Sequence, residues 1–420
     1  MIFAIILFTI LFAILSWKKI DWALILIAFG LPSYLLRFSI GPLPMTVLEV
    51  MILVVFAVWL IKYITSNKKG RRESWSKPLR KYKWMIFLFL IAATIGVIVS
   101  TDKIAALGIW KAYFIEPILL LIVLINTFKG KKDYKKLFYA FGASAILISL
   151  VAIYQKSTGV WIPNEFWRAE ETRRVTSVFG YPNAIGLFLA PIVIWNLGEL
   201  VFKWKENIWL QRIFYAAVIV LSSLAIVWAK SEGAIVAMAV VAAIIFIKNK
   251  KTRWFAVIAI ALGIVLIFAL PASGNIITEK LLLKDYSGEI RREMWSETWE
   301  MLTERPIQGA GLASYQDRVA IFHTKPHIEI YLYPHNIFLN FWSEIGLLGL
   351  VVWWLIIGKI VKEYWKGEKR EEKGDYFILL MVILVILIHG LVDVPYFKND
   401  LSVFWWVLLG FILQAKGSRH

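Results

Sequence analysis

The sequence predicts an all-α, polytopic membrane protein of about 12–13 transmembrane helices, and three observations lead to this prediction. Of its 420 residues 60% are hydrophobic and its mean hydropathy is +0.68, whereas soluble domains are about 45–50% apolar. Apolar runs of about 16 to 23 residues, long enough to cross a bilayer, recur along the chain. Many of the 21 Trp, 16 Tyr and 27 Phe residues lie at the ends of these runs, where amphipathic rings favour the membrane interface.

The runs and the loops between them alternate in charge. We place the runs at 2–17, 22–37, 46–64, 84–100, 107–127, 137–154, 181–202, 212–229, 233–248, 254–271, 335–358, 376–393 and 401–415. The first run lacks a basic start and a small-residue cleavage site, so it predicts a retained span rather than a signal peptide. Lys and Arg gather in short loops, which the positive-inside rule assigns to the cytoplasm; these are 18–21, 65–83, 128–136, 203–211, 249–253, 359–375 and 416–420.

This alternation predicts one integral membrane domain, 1–420, with two long extracytoplasmic loops, 155–180 and 272–334. The net charge of +18 lies mostly in the short inner loops, which fits contact with anionic membrane lipids and argues against nucleic acid as a partner. The absence of cysteine excludes disulfides and cysteine-bound metals.

The second long loop concentrates the polar chemistry. Residues 289–304 predict an amphipathic helix at the outer interface, since apolar side chains recur there at helical spacing. Two interpretations of Arg291 and Arg292 stay open: they reach lipid phosphates, or their planar guanidinium groups bind a pyrophosphate. The Pro306–Gly311 segment predicts a turn that ends this helix.

His335 opens a span directly after Tyr333 and Pro334. It is either a cap for the start of the helix or a general base at the aqueous boundary, because histidine titrates near neutral pH. Asn336 is a candidate to orient it or a sugar. Glu344 is nine positions further on, about half a turn round the helix, which predicts a structural role or a bond to a neighbouring helix.

Further charged residues are predicted at the same face of the membrane. Arg168, Arg173 and Arg174 serve an anionic ligand or pair with nearby acids. Two other pairs are either functional or structural: Lys230 with Glu232 in a short outer turn, and His389 with Asp393, whose spacing suits a hydrogen bond on one helix.

Four short motifs follow one another along this part of the chain. They are Arg291-xxx-Trp295, Pro306-Ile307-x-Gly309-x-Gly311, His335-Asn336-x-x-Leu339 and Glu344-x-Gly346-x-x-Gly349-Leu350. In this order and spacing they resemble the O-antigen ligase and polymerase superfamily. Weaker likenesses are Trp110–Pro117, Arg174–Asn183 and His389–Asp393. One departure is Ser231-Glu232-Gly233, where family members often carry Ser-Arg-Gly.

The resemblance implies a metal-independent, cofactor-free glycosyltransferase of lipopolysaccharide or polysaccharide biosynthesis in the cytoplasmic (inner) membrane, with its site facing the periplasm or cell exterior. The donor would be a glycan on undecaprenyl pyrophosphate, and the acceptor a sugar hydroxyl of a glycan or glycolipid. His335 matches the family histidine proposed as the base, and Arg291 an arginine proposed to hold the pyrophosphate. The substrate-binding candidates are Arg292, Arg173, Arg174, Lys230, Asn336, Trp295 and Tyr333.

Two alternative functions stay open at this stage. A repeat-unit polymerase of the same superfamily would differ from a ligase only in its acceptor, and the Glu232 departure leaves room for it. A lipid or solute transporter would use His389–Asp393 and Lys230–Glu232 as relays. Transporters often show inverted repeats and broken helices, which the sequence does not reveal.

Overall fold

The structure, a computed structural model, describes residues 2–41, 43–65, 79–269, 279–280, 282–366 and 370–415. Its α-helices, numbered in chain order, are α1 (Ile2–Lys18), α2 (Ile20–Phe29), α3 (Val47–Thr65), α4 (Lys83–Val99), α5 (Lys103–Ile109), α6 (Glu116–Thr127), α7 (Lys131–Thr158), α8 (Glu165–Arg168), α9 (Asn183–Phe202), α10 (Trp209–Trp228), α11 (Glu232–Lys248), α12 (Arg253–Ala269), α13 (Tyr286–Glu304), α14 (Tyr315–Val319), α15 (Ile337–Trp365), α16 (Arg370–His389) and α17 (Asn399–Ala415). A π-helical segment, Trp110–Ile115, joins α5 to α6, and short 3-10 turns cover Leu31–Leu35, Leu79–Lys81 and Ala320–Phe322.

The predicted all-helical membrane fold is confirmed. Six helical stretches are long and apolar enough to cross a membrane, and six shorter apolar helices accompany them in the described ranges. The six long ones are Val47–Thr65, Lys103–Thr127, Lys131–Thr158, Asn183–Phe202, Trp209–Trp228 and Ile337–Trp365. Outside the helices, a small antiparallel hairpin pairs β1 (Arg37–Ile40) with β2 (Leu43–Thr46).

Helix α9 lies at the centre of the bundle. In its most apolar stretch of 18 residues, 78% of α9 is buried inside the protein, against 28% for the same stretch of α10. Helix α9 is therefore enclosed by other parts of the protein, whereas α10 lies mostly at the surface. It packs against α10, α11 and α16. This central helix begins at Asn183, directly after the loop that carries Arg173 and Arg174, and therefore fixes that loop above the core.

The described loops fall into two groups at opposite ends of the bundle, as the alternation of charge predicts. At the end we call the basic end, Lys131 and Lys203 both pair with Asp375, and Gln414 donates to the carbonyl of Lys129. At the end we call the polar end, Ser100 meets Ser314 and Arg174 reaches the 229–230 turn. The predicted basic clusters within 66–78, 367–369 and 416–420 lie outside the described residues.

Helix α15 is interrupted at Ile345 and Gly346, where φ reaches +70° at the glycine. The turn after α13 fills this break: the amides of Ala310 and Gly311 donate to the Ser343 carbonyl at 2.8 and 3.0 Å, and the Leu347 amide donates to Ile307 at 3.0 Å. A side chain at Gly346 would come within 2.4 Å of the Ile307 oxygen. The Pro306–Gly311 turn therefore forms as predicted and also supplies the backbone partners that the broken helix lacks.

Candidate active site

The loop 390–393 is the point where the candidate residues meet. Three successive carbonyls of this loop accept bonds from different elements: Gly390 from the Ile337 amide at 2.7 Å, Leu391 from the Asn336 side chain at 3.0 Å, and Val392 from Arg291 Nε at 3.2 Å. The side chain of the next residue, Asp393, faces His335. One short loop thus fixes the start of α15 and the arginine of α13 relative to each other.

His335 lies just before α15, not inside it. Its φ is +46°, a left-handed conformation that is uncommon for any residue but glycine and that often marks a functional site. Its Nδ1 lies 3.5 Å from Asp393 Oδ1, an ion-pair contact longer than an ordinary hydrogen bond. Since Nδ1 faces the carboxylate, Nε2 is the nitrogen directed away from it and available for proton transfer.

Asp393 is buried, with 2% of its surface exposed. Burial acts to raise the pKa of this carboxyl, but hydrogen bonding and charge from His335, together with the charge of His389, outweigh burial and lower the pKa to about 2. The carboxylate therefore stays ionised at neutral pH, where it can orient the His335 ring and stabilise its protonated form.

Aromatic rings flank the imidazole. The ring centroid of Tyr333 lies 4.8 Å from that of His335, and that of Tyr331 lies 5.4 Å away. The Tyr333 hydroxyl meets the Tyr181 hydroxyl at 3.3 Å. Burial and the nearby Asp393 raise the pKa of Tyr333 to about 12, so the hydroxyl keeps its proton at neutral pH.

Helix α13 carries the candidate arginine to the site. It begins three residues before the predicted position because Asp285 caps it, accepting a bond from the Gly288 amide at 3.1 Å. Besides the bond to Val392, Arg291 donates from Nη1 to Ser287 Oγ at 2.7 Å. Its Nη2 has no hydrogen bond to the described residues, which leaves part of the guanidinium for a ligand.

The polar groups of Trp295 and Asn336 form hydrogen bonds within the protein instead of pointing into an open cavity. Trp295 Nε1 donates to the Pro334 carbonyl at 2.9 Å, which holds the backbone next to His335. Asn336 caps α15, its Oδ1 accepting from the amides of Phe338 and Leu339. The polar groups of both residues are thus used in positioning His335.

The other outer arginines separate in the structure. Arg174 donates to the Ala229 carbonyl at 3.0 Å and to Asn183 Oδ1 at 3.3 Å, and Asn183 in turn donates to Asp393 Oδ2 at 3.4 Å. Arg174 is therefore linked to the His335–Asp393 pair through one side chain. Arg173 instead donates to the carbonyls of Arg168, at the end of α8, and Lys156, in the last turn of α7.

Two predicted pairings are wrong. Helix α16 ends at His389, before the predicted span limit at 393, so Asp393 is not one helical turn from His389 and faces His335 instead. Glu232 pairs with Lys280, not with Lys230. Lys230 has a φ of +51° and an exposed side chain, and its carbonyl accepts from Arg174.

Two further predicted residues lie away from the His335–Asp393 pair. Arg292 is exposed on α13. Glu344 is buried and accepts a bond from the Ala313 amide at 3.1 Å, which ties α15 to a loop rather than to a helix. Within the described ranges, no three His, Asp or Glu side chains are placed to hold a metal ion.

The pattern of motifs missed Asn183 as a partner of Asp393, and it missed Lys398. The ammonium of Lys398 lies 4.2 Å from the centroid of the Tyr181 ring. The only signal for Asp393 as the partner of His335 is Gly390, a helix-stop residue directly after the last apolar residues of α16.

Two comparisons with known proteins find similarity to O-antigen ligases. Residues 217–354 match the family model described as O-Antigen ligase. An O-antigen ligase from Salmonella typhimurium is 23% identical over 404 residues, covering 84% of this chain and 98% of that protein. The matched family region includes Arg291 and His335, whereas Arg174 and Asp393 lie outside it.

Proposed function

Because residues 217–354 match the O-antigen ligase family model and an O-antigen ligase is similar over most of the chain, we propose that this protein transfers a glycan from undecaprenyl pyrophosphate to a sugar hydroxyl on the outer face of the cytoplasmic membrane. The acceptor is a glycan or glycolipid. The observation that carries the proposal is the meeting of three groups on the 390–393 loop: the imidazole of His335, the buried carboxylate of Asp393 and the guanidinium of Arg291.

His335 is the general base in this proposal. Its Nε2 takes the proton of the acceptor hydroxyl while the hydroxyl oxygen forms a bond to the anomeric carbon of the donor sugar. The bond from that carbon to the pyrophosphate oxygen breaks on the opposite side, so the configuration inverts. Asp393 holds the ring through Nδ1 and stabilises the imidazolium that forms.

Arg291 receives the leaving group. The pyrophosphate gains charge as the anomeric bond breaks, and a guanidinium that donates two bonds to phosphate oxygens stabilises this charge more in the transition state than in the ground state. The bonds of Arg291 to Val392 and Ser287 fix its plane, so little reorganisation is needed during the reaction. Proton transfer and charge stabilisation by side chains account for the chemistry without a metal ion.

Other candidates have supporting roles. Tyr333 confines the imidazole and presents a hydroxyl, while Trp295 and Asn336 position it through the backbone and contact substrate with their remaining surfaces. Arg174 holds Asn183, which in turn donates a hydrogen bond to the Asp393 carboxylate. Arg173, Arg292 and the exposed Lys230 attract the anionic donor towards this face of the membrane.

A groove beside the site fits a lipid-linked substrate. It has a volume of about 580 Å³ and lies between α13 and α15. Aromatic and aliphatic side chains line most of it, and Asn336 stands at the edge shared with His335; the lining residues are Trp295, Ser296, Trp299, Glu300, Asn336, Phe338 and Leu339. An isoprenoid chain in this groove would bring its pyrophosphate close to Arg291.

The test is glycan transfer by the purified protein with a lipid-pyrophosphate-linked donor and separate acceptors. We expect the wild type to release undecaprenyl pyrophosphate and to form one new glycosidic bond. We expect His335→Ala and Arg291→Ala each to lower kcat by at least about 10²-fold. Full activity in both variants would refute the mechanism.

The acceptor decides between the related activities. Transfer to a glycolipid core identifies a ligase, whereas growth of the donor glycan by repeat units identifies a polymerase. Movement of the lipid or solute across vesicles without bond formation would identify a transporter and overturn the proposal.

A further inference from the structure

Lys398 is a cation surrounded by aromatic rings at the end of the 390–398 loop. Its ammonium nitrogen lies 4.2 Å from the ring centroid of Tyr181, 5.7 Å from that of Phe179 and 5.8 Å from that of Tyr34. It also donates to the Tyr34 hydroxyl at 3.3 Å. Aromatic faces attract and position a cation, but they do not neutralise its charge.

No carboxylate of the described part of the chain lies within 4.0 Å of this nitrogen. Two acids are nearby but form no ion pair with Lys398: Asp393 faces His335, and Asp400 is buried in the first turn of α17. Burial lowers the pKa of Lys398 although both acids act to raise it. The ammonium has lost part of its hydration without gaining a bonded counter-ion, which is unfavourable until an anion arrives.

This ammonium belongs to the same assembly as the candidate base. The hydroxyl of Tyr181, whose ring contacts Lys398, meets that of Tyr333, whose ring packs on His335. The exposed Arg37 of β1 adds a second positive charge, which also acts to lower the pKa of Lys398. Two cations, Lys398 and Arg37, therefore lie near one another on this side of His335, in addition to Arg291.

We propose that Lys398 is a substrate-binding residue that takes a phosphate group, held in place by the rings of Tyr34, Phe179 and Tyr181. The proposal deepens the glycan-transfer function and rests on it for the identity of the substrate. The phosphate belongs either to the pyrophosphate of the donor or to a phosphorylated acceptor glycolipid. In both cases the anion supplies the directly bonded counter-ion that Lys398 lacks among the described residues.

The first test is binding, which does not depend on turnover. The purified full-length protein is titrated with inorganic pyrophosphate and with inorganic phosphate while its thermal unfolding midpoint is followed. We expect pyrophosphate to stabilise the wild type, Lys398→Gln to weaken its apparent Kd at least about tenfold, and Lys398→Arg to recover most of this loss. Lys103→Gln, the same change at a lysine bonded to carbonyls at the end of α4, should leave the Kd unchanged.

Two results overturn the proposal at this stage: no stabilisation of the wild type by either anion, or an equal Kd in wild type and Lys398→Gln. If Lys398→Gln does not fold, Tyr181→Leu, which removes the nearest ring of the cage, replaces it under the same tenfold criterion.

The second test separates the two sources of phosphate. KM is measured for the donor and for the acceptor in wild type, Lys398→Gln and Lys398→Arg. A KM increase for the donor identifies its pyrophosphate. An increase for the acceptor that disappears with a dephosphorylated acceptor identifies the acceptor phosphate. A fall in kcat with both KM values unchanged shows a structural role and overturns the proposal.

Failure of the underlying function gives a different pattern. If the wild type transfers no glycan from the donor, the proposed glycan-transfer function is refuted. The pyrophosphate titration still decides whether Lys398 binds an anion.

Discussion

Charged side chains at the two ends of the bundle are arranged in opposite ways. At the basic end, Asp375 lies 2.8 Å from Lys131 and 2.5 Å from Lys203, and Lys203 also lies 2.6 Å from Glu199. Each charge of this network meets an opposite charge. At the polar end, Arg291 donates to three oxygens of the described residues, none of them from a carboxylate, and Lys398 meets aromatic rings in place of carboxylates of the described residues.

This difference separates a structural network from a binding site. The Asp375 network joins α7, α9 and α16 and is electrically complete, so it needs no ligand. At the polar end, Arg291 and Lys398 have no carboxylate partner among the described residues, and the carboxylate near His335 is buried. We therefore expect the proposed anionic substrate to bind at the polar end.

We expect the largest effect on kcat from His335→Gln, at the polar end. Because the proposed base is lost while the ring's volume is roughly kept, kcat should fall by about 10²–10⁴-fold with little change in the unfolding midpoint. His327→Gln, at an exposed histidine of the same loop, is the control and should retain wild-type kcat. Equal rates for the two variants in the transfer assay would remove His335 from the chemistry.

Asp393→Asn should have the next largest effect. The amide keeps the shape but not the charge that stabilises the imidazolium, so kcat should fall by about 10–100-fold, the value of a charged hydrogen bond. Because the pKa of Asp393 is lowered to about 2, its stabilising contribution is complete above its ordinary pKa near 3.8 and is lost only as pH falls towards 2. Asp393 should therefore cause no change of activity between pH 8 and 5. A fall of wild-type activity in that range that Asp393→Asn abolishes would show that Asp393 titrates there and would contradict its lowered pKa.

Gly346→Ala tests whether the polar end depends on the broken helix. A Cβ there would lie 2.4 Å from the Ile307 oxygen in a left-handed conformation, so we expect a loss of about 1–3 kcal/mol in stability, the cost of such strain, and a several-fold loss of transfer. Gly358→Ala is the matched control in the same helix, since nothing lies within 4 Å of its added carbon. Thermal unfolding that falls equally in both variants would contradict the account of the break.

Asp375→Asn should have the smallest effect on transfer. Removing this carboxylate leaves Lys131 and Lys203 with weaker partners at the basic end, which lowers the unfolding midpoint slightly but leaves kcat and KM within about twofold, because partly exposed ion pairs contribute little. A tenfold loss of transfer would show that the two ends are coupled.

The sequence predicts the fold, which the structure confirms, and proposes two site residues that the structure brings to one loop. Apolar runs and basic loops gave the helices and their alternation, and motif spacing singled out Arg291 and His335. The apolar run 376–393 does not predict Asp393 as the partner of His335. The run continues through Gly390 and so places Asp393 on the same helix as His389, whereas the helix ends at His389. The cage around Lys398 combines residues from three distant loops, and no local pattern predicts such a contact.

The turn inserted into the break of α15 determines which part of the polar end can move. Lifting that turn would leave the amide of Leu347 and the carbonyl of Ser343 without partners within the membrane layer, and at the other end of the segment the Ile337 amide is fastened to Gly390. The segment 313–336 is thus anchored by hydrogen bonds at both ends. Tyr331, Tyr333 and His335 lie in this segment, so we expect a change at either anchor to disturb all three together.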